Sequence, residues 1–598
     1  MRFLRIALPV VMGMAMARPG DAAAQAAPAA PALQDYEKPG QLAPLPQGQA
    51  SLYRVPWRSN PRTASALEAL EGLGVYYKHI AANPHVMGQM AAAGVKRLRL
   101  APHHTMYIHK DWTGPSASEL ANLEGEFKGC KAAGIRPCVV FVHIPIMGTD
   151  DAGQAWVRNT WKKELMAWGP PGSEAYKLYL EKTYLGMLAI LNAARAAGFT
   201  EEASYDLEMG QNLWWGFPAL PPFPGLTLES LQPGGLLYEF DKALVERARA
   251  EGYREPVLYN SQCHHHFDRM DDRELIPGQA GRAISIYSSW GGTVGKGWLG
   301  ETVEVTNPDG SRKRVTVSPT DEWPAREPLV FAEGRVPEMV LARPESYLAD
   351  FSRHDNLIAR LKAGAVPVAI TSLGVVPSDI PGATVETADA QGRKTRAMAP
   401  GLDGWELKSR GLTRICAFWL NQGARFVLLH SAYEGANDEL SHALIPDFGK
   451  QPEAFRWEQS RPLKALHAFA EPLRGARKLA TLTGLKFRYA LAKDTELIPR
   501  SEKGGPLMAS DAVAILPFQI TETSFAVACY VVTPNLAAKF EPTTMTLRVA
   551  RKLKGDAATS HPSDQTTGQA VVTERQADAT TLTLPVTDDV TWLVFEVE

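Results

Sequence analysis

Two acidic side chains close apolar runs that read as buried strands. Glu208 lies in Ala203-Ser204-Tyr205-Asp206-Leu207-Glu208-Met209-Gly210-Gln211-Asn212, and Glu333 in Pro328-Leu329-Val330-Phe331-Ala332-Glu333-Gly334. A carboxylate in such a place is tolerated where it reaches water, a partner or a substrate, because an isolated buried charge is costly. Paired carboxylates can do acid–base work: one protonates a leaving oxygen, and the other acts as base or nucleophile on the opposite face. Breaking a glycosidic bond needs this pair, and a separation of about 5 Å or about 6.5–9.5 Å sets retention or inversion. An ion pair at a strand end is the plain alternative, since structural networks use the same residues.

The elements that must position these residues alternate. Strands are expected at 74–77, 95–100, 137–143, through Glu208, and at 256–260, 283–287, 328–334, 366–371 and 425–430. Helices are expected over 85–93, 116–133, 172–197, 228–250, 410–422 and 462–480, several of them followed by a glycine that ends the helix (Gly94, Gly134, Gly198, Gly252, Gly423). Short apolar strands alternating with amphipathic helices imply a parallel sheet, and this many repeats imply a (β/α)8 barrel. The strand candidates exceed eight by one, and the surplus is either 74–77 or one of the last four. Residues 302–318 read as a hairpin around Pro308-Asp309-Gly310. Beyond Gly484 strands follow one another without helices, as in an antiparallel β-sandwich. The expected division is a signal peptide over 1–25, an Ala/Pro-rich linker and lead-in over 26–60, the barrel over 61–483 and the sandwich over 484–598.

Further candidates cluster at the expected C-terminal ends of the strands, where barrel sites are built. Trp214, Trp215 and Trp290, with Trp112, Trp298 and Trp323, could stack on the apolar faces of sugars. Arg99, His143, Asn212, Asn260 and Tyr287 could bind hydroxyls or orient a nucleophile. His103, His104 and His109, and the run His264-His265-His266, lack a metal-site spacing, so neither a metal nor another cofactor is expected. The sequence has no phosphate-binding loop, no Gly-x-Gly-x-x-Gly directly after an expected strand and no nucleophile elbow.

With these residues in view, the chain resembles the large clan of retaining glycoside hydrolases with (β/α)8 barrels. The resemblance covers 74–371 and rests on an Arg on the second strand (Arg97 or Arg99), the aromatic-bearing Ile284-Ser285-Ile286-Tyr287, and Glu333. It implies an acid/base carboxylate after the fourth strand and a nucleophile Glu at the end of the seventh, and so a carbohydrate substrate. The chain departs from the clan's Glu-x-Gly-Asn-Glu: Glu208-Met209-Gly210-Gln211-Asn212 puts Asn212 at the acid position. Either Glu208 has taken that role, or the barrel binds carbohydrate without cleaving it. Asp206-Leu207-Glu208 also looks like the Asp-x-Glu of chitinase-like barrels, which implies a substrate-assisted reaction with Asp206 helping Glu208.

Bulk properties agree with a soluble, multidomain chain. It has 598 residues, 45% hydrophobic and 21% charged, with a formal net charge of −2. The absence of a basic tract argues against nucleic-acid binding. Arg2 and Arg5, the apolar run 6–17 and the small residues at 22–26 read as a bacterial-type secretory signal, so a secreted or periplasmic location is expected. That run is too short to span a bilayer. The five cysteines form no disulfide framework, though a Cys130–Cys138 bridge would suit an exported protein. Nothing in the sequence sets the oligomeric state.

Overall fold

A computed structural model describes residues 32–36, 62–77, 83–101, 112–141, 172–210, 233–263, 276–285, 302–306, 312–316, 367–380, 382–388, 391–433, 439–446, 452–498, 507–533, 535–538 and 540–598. Eight parallel strands close into a barrel: Leu73–Tyr77, Arg97–Leu100, Arg136–Phe141, Tyr205–Met209, Pro256–Cys263, Gln279–Ser285, Val368–Leu373 and Val427–Leu429, the last pairing back onto the first. The ring is complete with these eight. The surplus sequence candidate is therefore 328–334, which lies outside the described residues, and the seventh strand is Val368–Leu373.

Helices Pro84–Ala92, Ala117–Ala133, Glu174–Ala196 and Leu236–Ala250 each connect successive strands, and Gly404–Gln422 joins the seventh to the eighth. Local chemistry sets their ends. Ser116 caps Ala117–Ala133 in a reciprocal pair with Glu119, and Gly134 closes it at φ 66°, a left-handed conformation that costs glycine little. The last barrel helix, Arg461–Ala470, is shorter than the expected 462–480, because the chain tightens into a 3-10 turn at Glu471–Leu473 with Pro472 inside it. The hairpin pairs Thr302–Thr306 with Arg312–Thr316 as expected, and a second, Thr384–Ala388 with Lys394–Met398, was not foreseen.

Along each barrel strand alternate side chains face inward. Outward residues such as Val75, Leu98, Val139, Leu207, Ile370 and Val427 join the main core beneath the helices. Inward residues Cys138, Tyr259, Ala283, Ala369, Phe426 and Leu428 form a separate apolar plug inside the ring. Packing inside the ring is close: a Cβ on Gly74 would lie 2.3 Å from Leu428 Cδ2, so any larger residue there would have to displace that side chain. Cys130 belongs to the outer core and Cys138 to the plug, on opposite sides of the barrel wall, and both are free thiols. The expected Cys130–Cys138 bridge is thus not formed.

The C-terminal region is a ten-stranded, mostly antiparallel sheet in which the long strand Thr566–Arg575 pairs with both Ala557–His561 and Thr580–Val586, joining two halves over a shared apolar interior. Two of its strands come from the N-terminal part of the chain. Gln34–Asp35 pairs with Arg488 and Tyr489, and Ala64–Ser65 runs parallel to Phe518 and Gln519. Part of the stretch read as linker is therefore structural, with Tyr36 buried and its hydroxyl accepting from the Ile515 amide.

Helix Gly404–Gln422 fastens barrel to sheet. Fully buried Arg414 donates to Thr533 Oγ1 (3.1 Å), Thr533 O (3.2 Å) and Asp588 O (3.3 Å), and Arg410 pairs with Asp588. Asp589 beside it is half-buried by surface, but Ser563, Thr413 and the Val590 amide enclose its carboxyl. Burial pushes Asp589 up to about 7, with Arg410 opposing the rise and Asp588 adding to it.

Candidate active site

Two charged layers lie inside the barrel, one on each side of the apolar plug. Both come from the second and fourth strands, whose inward positions are Arg97 and Arg99, and Asp206 and Glu208. The lower layer, toward the strands' N-terminal ends, holds Asp206. Arg136 grips it with two hydrogen bonds of 2.8 Å, and Arg97 pairs with it from the other side. Arg97 is spread over Phe426 at 4.6 Å.

The upper layer, toward the C-terminal ends, holds Glu208. Arg99 donates to Glu208 Oε2 from Nε (2.8 Å) and lies 2.7 Å from it at Nη2, while Thr371 of the seventh strand donates to Oε1 (3.1 Å). Glu208, Arg99 and Thr371 are all 0% exposed. The Arg99 guanidinium lies 4.6 Å over the Tyr76 ring. Between the layers, burial pushes the Cys138 thiol up, and Asp206 and Glu208 add to the rise. Burial likewise raises the Tyr259 phenol, with Asp206 contributing.

This arrangement sorts the sequence candidates. Glu208 and Arg99 are brought together, at the end where barrel sites are built. Asp206 is one layer down and held by two arginines, which does not suit the substrate-assisted alternative: its carboxyl is turned to the barrel's lower end. Asn260 pairs beside Met209, on the same side of its strand as Leu258, so alternation places it on the helix-facing side and not over the ring. Trp112 is 8% exposed and part of the main core, which removes it from the stacking platform. Glu333, His143, Asn212, Trp214, Trp215, Tyr287 and Trp290 lie outside the described residues, as do Trp298, Trp323 and the other candidate histidines, 103, 104, 109 and 264–266.

Residues missed in the sequence complete the upper layer. Thr371 and Ser372 end the seventh strand, where the clan resemblance implied a glutamate. His430 follows the eighth strand, with its Nδ1 3.0 Å from Ser372 Oγ and its ring 4.9 Å from Tyr76 and 4.7 Å from His442. A polar run at the end of an apolar strand was the available signal for all three. Among the described residues no group of three or more His, Cys, Asp or Glu could hold a metal ion, and no helix is long and apolar enough to cross a membrane.

No family model and no curated protein matches this chain. Solved structures do. The chain is similar to glycoside hydrolase barrels. A Bacteroidetes-affiliated GH5 cellulase linked with a polysaccharide utilization locus is 13% identical at TM-score 0.38, over 68% of this chain and 92% of that one. An endo-β-1,4-mannanase from Thermotoga petrophila is 9% identical at TM-score 0.37, over 86% and 97%. A Cellulomonas fimi endo-β-1,4-mannanase double mutant is 13% identical at TM-score 0.35, over 90% and 100%. At such identities and scores the likeness carries no argument about activity, and the barrel assignment rests on the strand pairing itself.

Proposed function

We propose that this protein is a glycoside hydrolase acting on a polysaccharide or oligosaccharide by a two-carboxylate mechanism, with Glu208 as one carboxylate and Glu333, which is not on the seventh strand, as the sequence candidate for the other. The observation that carries this reading is the Arg99–Glu208–Thr371 cluster at the C-terminal end of a closed parallel barrel. Burying an ion pair is seldom worth its desolvation cost for stability alone, and this one sits where βα loops assemble sites. Export through the segment 1–25 belongs to the same proposal, and fractionation of expressing bacteria would test it.

One observation favours a second reading. Both Glu208 oxygens already accept hydrogen bonds, and a proton donor must reach the leaving oxygen. With Asn212 at the clan's acid position, the barrel could instead bind glycan without cleaving it. Incubation with a glycan panel separates the two: reducing ends appear if the chain is a hydrolase, whereas calorimetric binding without release marks a binding barrel. Proton NMR of the first-formed anomer then reads retention or inversion.

A further inference from the structure

Ser372, His430 and His442 have no part in the two-carboxylate chemistry, yet they are closely held. Ser372 is fully buried and His430 is 5% exposed. The strand-like segment beyond the eighth strand fixes His442 by its backbone: the Ser431 amide donates to His442 O (3.3 Å) and the Leu444 amide to Ser431 O (2.9 Å). Buried Lys408 donates to Ala443 O (2.7 Å) behind it. A Cβ on Gly374 would lie 2.4 Å from the His430 carbonyl oxygen and 2.8 Å from His442 Cδ2, so the end of the seventh strand is moulded to both histidines.

These contacts continue to the carboxylate. Ser372 meets His430, His430 meets the Tyr76 ring, Tyr76 carries the Arg99 guanidinium, and Arg99 holds Glu208. The path closes on itself, because Glu208 also accepts from Thr371, the neighbour of Ser372.

We propose that His430, pinned by Ser372, is a positioning residue that sets the Arg99–Glu208 pair through the Tyr76 ring. The inference rests on the reading above for what Glu208 does in turnover. A neutral imidazole leaves the π-face of Tyr76 to Arg99. A protonated imidazole draws on the same ring and weakens its hold on the guanidinium. Imidazoles take up protons between pH 5 and 8, so the site loses its geometry on the acid side. Among the described residues, the groups facing His430 are His442, Tyr76 and Ser372, with Arg99 behind Tyr76 and Lys408 behind Ala443.

The test uses the whole chain and the variants His430→Asn, Ser372→Ala, Glu208→Gln, Arg99→Met and their pairwise combinations with His430→Asn. Asparagine keeps a hydrogen-bonding partner for Ser372 but removes the ring and its proton. With cellohexaose and mannohexaose as probes, His430→Asn and Ser372→Ala should each lower kcat about tenfold with KM within about twofold. His430→Asn should also lose the acid limb of the pH profile. The double variant with Glu208→Gln should be no worse than Glu208→Gln alone. A purely structural histidine would leave the shape of the pH profile unchanged and give additive effects, and either result overturns the proposal. Failure of the hydrolase reading is read separately, as absence of turnover by the wild type. In that case the coupling is still measured by urea unfolding. Non-additive midpoints for His430→Asn and Arg99→Met, whose side chains are joined through Tyr76, support the proposal, and additive midpoints overturn it.

Discussion

The two charged layers of the barrel come from the same two strands, two residues apart on each, and yet they are built differently. Asp206 has two arginines, one of them reaching solvent, since Arg136's side chain is 28% exposed. Among the described residues Glu208 meets one arginine and one threonine, all of them buried. The lower layer is redundant and closes the barrel's floor. Among the described residues the upper layer has one cation, with an aromatic ring and a histidine behind it. Redundancy suits a structural plug, and a fully buried pair at the C-terminal end suits a group whose exact charge and placement matter.

The largest expected effect follows from that asymmetry. Arg99→Met should destabilise the protein by about 3–5 kcal/mol, because it removes the cation that pairs with fully buried Glu208. Urea unfolding measures this, and a loss under about 1 kcal/mol would show that the upper pair is not the tightly balanced one. Glu208→Gln should cost about a hundredfold in turnover, while Asp206→Asn stays within about tenfold of wild type. Equal losses would erase the functional distinction between the layers. Arg97→Met should cost only about 1–3 kcal/mol, since Asp206 keeps its two bonds to Arg136. If it matches Arg99→Met, redundancy is not what separates the layers.

How much of this could be read in the sequence varied along the chain. The alternation of strand and helix disclosed the barrel, since outward faces such as Val75, Leu98 and Leu207 are apolar and several helices are followed by a glycine stop. Arg99 and Glu208 were legible because charged residues interrupt apolar strands. Their mutual pairing, and the demotion of Asp206 to the floor, were not: which inward residue meets which depends on the barrel's stagger, a property of the closed ring. Pro328–Gly334 carries a convincing strand pattern, and only ring closure shows that eight strands suffice without it. Strand Val513–Gln519 went unseen for a different reason, because its Pro517 counts against a strand unless its missing donor is harmless. Gln34–Asp35 was hidden because two residues carry no period.

The smallest effect concerns a carboxylate away from the ring. Asp589 is raised to about 7 in the folded chain, above the ordinary aspartate value. The native state therefore holds a proton that the unfolded chain has released. Its contribution to stability is fully present below about pH 4 and is lost as pH rises to about 7, with a slope of at most about 1.4 kcal/mol per pH unit. Asp589→Asn should flatten that slope in thermal melts across pH 4–8.

The pairing of Gln34–Asp35 with the strand at Phe487–Leu491 has a consequence for biosynthesis. Leu33 O accepts from Arg488, 455 residues later. At ribosomal speeds of about 5–20 residues per second, the early segment waits roughly 20–90 s for its partner. Tyr36 waits longer still for Ile515. During that interval the nascent chain carries an aromatic side chain and an unpaired strand edge with nothing to cover them, so this stretch is where a holdase would be expected to bind. The barrel can close before the last residues emerge, but the protein is sealed only when its late sheet returns to collect residues 34–36.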